Sequence, residues 1–281
     1  MAAKARASAH LVGAIGTVVF SLSLAGGMVA WGSAATAATS SPNVAPSPHQ
    51  AGAMPVGRLQ VSPMKPAPPP PPPTNPSGVD CSVLQCIALT FDDGPGPQLA
   101  GILSVLDLRK VKATFFLQGW RAAANPGAVA TIAAAGHVIG NHSYNHPHFK
   151  GKSVEYIDAQ LQQADDIIVA AGAPKPTLMR PPYGDNPAAL KMADADMGKV
   201  GVLWDVDPWD WNNPGPDKVI ADVLTYTQRG SIILLHDMWP GTVDALLPII
   251  DNLLAKGFVF VTVPELIGDQ PPGTIISHGP R

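Results

Sequence analysis

The stretch Ile87-Ala88-Leu89-Thr90-Phe91-Asp92-Asp93-Gly94-Pro95 joins a short apolar, β-prone run to an acidic pair and a turn signal. Six further runs of similar character follow, at 113–117, 137–140, 177–179, 200–204, 232–235 and 258–261. Between them lie segments of helical period at 99–108, 128–135, 154–171, 188–197, 217–228 and 243–255, with proline near several starts and glycine at several ends. Strands alternating with longer helical segments imply a parallel sheet covered by helices.

Periodicity alone does not separate an open doubly wound sheet from a barrel. The polar residues do. Asp92-Asp93, the cluster from Asn141 to His148, Arg180, the stretch from Asp205 to Asp210, and His236-Asp237 all fall at or just after a predicted strand end. In a (β/α) barrel these ends share one rim, where side chains from five strands can surround one substrate; an open sheet would spread the outer ones too far apart. The expected fold class is therefore α/β, a deformed (β/α)7 TIM-like barrel.

Composition confines this barrel to part of the chain. All 21 acidic residues lie at or after Asp80, and 13 of the 37 residues from Pro42 to Gly78 are proline. From residue 79 onward 14 Lys and Arg stand against 21 Asp and Glu, a net charge of −7 without a basic run, which argues against a nucleic-acid partner. The expected divisions are 1–38 as a signal peptide or retained signal anchor, 39–78 as a disordered Pro-rich linker, 79–268 as the folded domain and 269–281 as a C-terminal tail.

Lys4, Arg6 and His10 precede an apolar run from Leu11 to Trp31, and Ala35-Thr36-Ala37 is a cleavage candidate. The run is also long enough to span a bilayer, so cleavage and membrane anchoring both stay open. Either way the domain faces outward, secreted or held at the cell surface. Six consecutive prolines, Pro68 to Pro73, favour extended polyproline II, a tether on the order of 100 Å long. In an exported chain the pair Cys81 and Cys86 reads as a disulfide that closes a tight turn at the start of the domain.

Individually, the polar clusters have ordinary readings. Asp92-Asp93 could be a helix N-terminal acidic pair. Two carboxylates held close together instead call for a cation or a raised pKa, and both reach one site only where the strand has ended. His142 and His146, at i and i+4 in a loop before Pro147, combine with a carboxylate into a divalent-metal site with open positions. Arg180 can grip a carboxylate at a strand end. A histidine such as His236, oriented by an aspartate, is the usual way to keep a proton available. His137 reads as structural and His148 as a loop residue.

Five segments in order, Thr90-Phe91-Asp92-Asp93-Gly94-Pro95, His142-Ser143-Tyr144-Asn145-His146-Pro147, Arg180-Pro181-Pro182-Tyr183, Asp207-Pro208-Trp209-Asp210-Trp211 and Leu234-Leu235-His236-Asp237, resemble the five motifs of the polysaccharide deacetylase family, also called NodB homology or carbohydrate esterase 4. Phe149 replaces the family's common leucine. The resemblance implies a metal-dependent deacetylase in which Asp93, His142 and His146 hold a divalent ion, most simply Zn2+, with Co2+ or another ion as alternatives. Asp92 would be the general base, held by Arg180, and His236 the general acid. An aspartate of the 207–210 loop would support His236, with Asp207 favoured over Asp210. The backbone of Tyr183 would help stabilise the oxyanion, and Tyr183, Trp209, Trp211, Leu234 and Trp239 would line the substrate groove.

The expected partner is an acetylated polysaccharide, foremost the N-acetylglucosamine of cell-wall peptidoglycan; chitooligosaccharides or acetylxylan are alternatives within the same chemistry. A wall-binding protein that has lost turnover is the alternative outside enzymology. A monomer is expected.

Overall fold

A computed structural model describes residues 79–281, all within the unit Met64–Arg281. The export segment and Pro-rich linker lie outside the described residues. Among those residues no helix is long and apolar enough to cross a membrane.

The sheet is built on β1 (Gln85–Gly94), with β2 (Thr114–Leu117), β3 (Val138–Asn141), β4 (Leu178–Met179), β5 (Val200–Val202), β6 (Ile232–His236), β7 (Phe258–Val261) and β8 (Ile275–Ile276). Its order is β6-β1-β2-β3-β4-β5-β8, with every strand pairing parallel. The chain just beyond β5 returns to β6 through a parallel bridge between Val206 and Ile233, and a second bridge joins Ser231 to His278, so two isolated bridges join the ends of the curled sheet into a deformed barrel. β7 pairs instead with the first half of β1, from Gln85 to Ala88.

Strand alternation on β1 separates two environments. Ile87, Leu89 and Phe91 face outward into the main core, against Leu99, Ile102 and Leu106 of α1 (Leu99–Leu108) and Leu246, Ile249 and Leu253 of α7 (Pro240–Ala255). Cys86 and Ala88 face inward and share a second cluster with Phe116, Val202, Ile232 and the residues Val263, Leu266 and Ile267 of α8 (Val263–Ile267). That short helix is held by a capping box, Thr262 with Glu265, and by the Val263 N–H donating to Thr114 Oγ1 at 3.0 Å.

The other helices follow their sequence signals. Asn125 caps α3 (Pro126–Ala134) and Ser153 caps α4 (Val154–Ala170), each accepting from a first-turn N–H. Ile157, Leu161, Ala164 and Ile168 form the buried stripe of α4 at helical spacing. α5 (Ala188–Asp196) and α6 (Pro216–Tyr226) complete the expected set.

Three expectations need correction. α2 (Gly119–Ala124) and α8 are additional helices, too short to show a period. The strand expected at 200–204 ends at Val202, because the carbonyls of Val202 and Leu203 turn to accept from the Arg180 guanidinium at 3.1 and 3.0 Å. The stretch expected as a tail supplies an eighth strand: β8 pairs with β5, and His278 bridges Ser231.

Candidate active site

Asp92 continues the inward series of Ala88 and Thr90 and is 3% exposed. β1 does not end before the acidic pair, as the sequence suggested. It carries a register break between Asp92 and Gly94, and Asp93 adopts a left-handed φ of 71°. This bulge brings the second carboxylate to the same cavity as the first. Behind the turn, the Gly96 N–H donates to Asp237 Oδ2 at 2.7 Å. A Cβ at Gly94 would lie 2.4 Å from that same oxygen, so a side chain there would have to displace the Asp237 carboxylate.

The histidines leave β3 at its upper end. Ser143 and His146 both adopt left-handed φ values, 63° and 60°. Their loop is tied internally: Asn141 Oδ1 accepts the Ser143 N–H at 2.7 Å, and Ser143 Oγ accepts the His146 N–H at 3.0 Å. His142 Nδ1 lies 2.6 Å from the Arg180 carbonyl oxygen. A carbonyl only accepts, so Nδ1 carries a proton and Nε2 is the ring nitrogen left to face the cavity.

That Nε2 lies 3.5 Å from Asp93 Oδ1, and His146 Nε2 lies 3.4 Å from the same oxygen. Ligand atoms of Asp93, His142 and His146 all fall within 4.8 Å of one another. Two imidazole nitrogens and one carboxylate oxygen, converging on an open cavity, fit a divalent ion. The electrostatics agree. Burial, reinforced by the neighbouring His142, pushes His146 down to about 4, so it is neutral as a ligand must be. Burial acts to raise Asp93, but the neighbouring His142 and His236 and the hydrogen bond from Gln118 hold the carboxyl below its ordinary value.

Arg180 is fully buried. Its Nη1 donates to Asp92 Oδ1 at 2.8 Å and to Thr90 Oγ1 at 2.7 Å, and Phe116 lies under the guanidinium at 4.2 Å. Asp92 Oδ2 remains on the cavity side, 3.6 Å from His142 Nε2.

His236 faces these groups from β6, paired in register with Asp92. Its Nδ1 lies 2.7 Å from Asp210 Oδ1, and its backbone N–H donates to Asp210 Oδ2 at 2.8 Å. Thr242 Oγ1 donates to Oδ2 as well, at 2.7 Å. Asp210 is thus the carboxylate that orients His236, which corrects the preference for Asp207. Asp207 Oδ1 instead accepts the Trp209 N–H at 2.9 Å. Trp209 then takes a left-handed φ of 59°, which swings the next residue beneath the imidazole. Burial opposes a charge on His236, yet the hydrogen bond and charge of Asp210, aided by Asp92 and Asp93, raise it to about 9.

The cavity between these groups has a volume of about 540 Å³. It is lined by Asp92, Asp93, His142, His146, Asp207 and His236 on the polar side, and by Pro181, Tyr183, Trp204, Trp209, Trp211 and Leu234. Tyr183, Trp209 and Trp211 are exposed aromatics at its rim. Trp239, expected in the groove, is not among the lining residues. It immediately precedes α7, whose first residue is Pro240.

Residues 81–202 match the family model described as polysaccharide deacetylase. The chain is 36% identical over 185 residues to the peptidoglycan-N-acetylglucosamine deacetylase of Listeria monocytogenes, which is 66% of this chain and 39% of that protein. It is 34% identical over 194 residues to the chitooligosaccharide deacetylase of Rhizobium leguminosarum bv. trifolii, covering 64% of this chain and 90% of that protein. The chain belongs to the polysaccharide deacetylase family. Among solved structures of such deacetylases, one described as T48 deacetylase with substrate matches with a TM-score of 0.68 at 34% identity, over 71% of this chain and 100% of that one. The family is metal-dependent, and the Asp93, His142 and His146 cluster could hold a metal ion.

Three residues at this site were not among the expected site residues. Trp204 and Pro181 line the cavity because the ends of β5 and β4 curl inward around Arg180. Gln118 donates to Asp93. A lone glutamine after a strand gives no periodic or motif signal, so only the fold reveals it.

Proposed function

We propose that this protein is an exported, metal-dependent hydrolase that removes acetyl groups from N-acetylglucosamine in cell-wall peptidoglycan. Support for the chemistry comes above all from Asp92, His236 and the Asp93, His142 and His146 cluster lining one cavity. Support for the wall substrate comes from the Listeria relative and from the signal-like start and long Pro-rich tether.

The metal, with Zn2+ the simplest occupant and Co2+ an alternative, would supply Lewis acidity, acidifying water and polarising the acetamide carbonyl. Asp92, its Oδ1 fixed by Arg180, takes a proton from the attacking water through Oδ2. The water oxygen bonds to the carbonyl carbon, and the former carbonyl oxygen becomes an anion facing the backbone N–H of Tyr183. His236 then donates its Nε2 proton to the amide nitrogen as the C–N bond breaks. Acetate and a free amine are the products. The exposed rings of Tyr183, Trp209 and Trp211 offer apolar faces to the sugar, and buried Leu234 borders the acetyl methyl.

Acetate release is the direct test, measured on peptidoglycan, chitooligosaccharides and acetylxylan with metal occupancy checked. Asp92→Asn should cut release by 10²-fold or more while retaining the ion. Preference for chitooligosaccharides, the substrate named for the Rhizobium relative, would replace the wall assignment. Equal background release by wild type and variant would leave a binding protein.

A further inference from the structure

The turn that carries Asp93 and the loop that carries His142 and His146 come from different strands, and one segment ties them together. Gln118, Gly119 and Trp120 follow β2 and open α2. The Gln118 N–H donates to the Gly94 carbonyl at 3.0 Å, while the Gly119 and Trp120 N–H groups donate to the carbonyls of Ser143 and Tyr144, both at 3.0 Å. First-turn N–H groups have no partner within their own helix, and here all three serve the two ligand-bearing segments.

The side chains add a directed link. Gln118 Nε2 donates to Asp93 Oδ1 at 2.6 Å, and Trp120 Nε1 donates to Gln118 Oε1 at 2.5 Å. An indole N–H can only donate and a carboxylate can only accept, so the amide has one allowed orientation. The oxygen it reaches is the one that faces both imidazoles. Gln118 is nearly buried, at 6% exposure, whereas Trp120 is 42% exposed. The indole covers one end of a relay whose other end is a ligand oxygen.

We propose that Gln118 is a positioning residue for the cation site: its amide, locked by Trp120, fixes the Asp93 carboxylate in the orientation that a divalent ion needs. The proposal rests on the reading of Asp93, His142 and His146 as the ligands. Partners of this kind orient ligands and tune affinity without touching the ion.

The test measures Zn2+ dissociation constants on the full chain by chelator competition, together with melting temperatures of the metal-free proteins. Gln118→Ala should weaken Zn2+ binding by about 10- to 100-fold while the metal-free melting temperature changes little. Trp120→Phe, which keeps a ring and loses only the donor, should weaken binding in the same direction by a smaller factor. In the double variant the Trp120 change should add nothing, because it acts through an amide that is no longer there. Unchanged affinity in Gln118→Ala, or additive losses in the double variant, would overturn the positioning role. Failure of the wild type to bind Zn2+, or full binding by His142→Ala, would instead overturn the ligand assignment.

Discussion

A histidine that is to release a proton near neutral pH must first hold one, and His236 does so against its own burial. The Asp210 carboxylate supplies the compensation, at 2.7 Å from Nδ1, and the imidazole is raised to about 9. His236 is therefore protonated below that value, and its proposed role as acid is lost as pH rises through it. Asp210→Asn removes the charge that raises the pKa, so the alkaline limb of the pH–rate profile should move to lower pH and kcat should fall by about 10²-fold. In Asp207→Asn the limb should stay in place, because Asp207 is engaged with the Trp209 backbone. A shift of the limb in the Asp207 variant alone would reverse this assignment. The sequence could not decide between these aspartates. Both stand beside tryptophans in a loop without periodicity, and the choice turns on a left-handed residue at Trp209.

The longer elements were legible, since strand runs bounded by turn residues and helices with an apolar stripe carry their signal in a few side chains. The connections between them were not. Deep below the histidine loop lies a polar cluster that no pattern announced: Lys199 and Asp165 are buried, their ion pair is 2.7 Å long, and Asn141 donates to Asp165 Oδ1 at 2.7 Å. Asn141 in turn accepts the Ser143 N–H, so α4 and the residue just before β5 together hold the loop that presents both imidazoles. Removing one member of a buried pair leaves a charge without compensation. Asp165→Ala should lower stability by about 3–5 kcal/mol, read from urea midpoints. A loss below about 1 kcal/mol would mean that the cluster carries no such load.

Across the whole molecule, the barrel reading depended on polar residues gathering at one rim, and the cavity lining bears that out. Closure itself was invisible, because it rests on isolated bridges at Val206 and His278 and on a two-residue strand drawn from the expected tail. The Cys81–Cys86 disulfide, by contrast, followed from the pairing and spacing of two cysteines in a chain read as exported. Closing its short loop should contribute about 2 kcal/mol. Reduction should accordingly lower the melting temperature by about 4–8 °C in calorimetry, and an unchanged transition would show that the bond adds nothing. The bulge at Asp93 bears on the whole assembly in another way. One peptide unit separates the group proposed to take protons from the group proposed to hold the cation, so neither can drift without carrying the other. Mild denaturation should therefore abolish ion retention and turnover in a single event, with no stage at which an ion-loaded but idle protein accumulates.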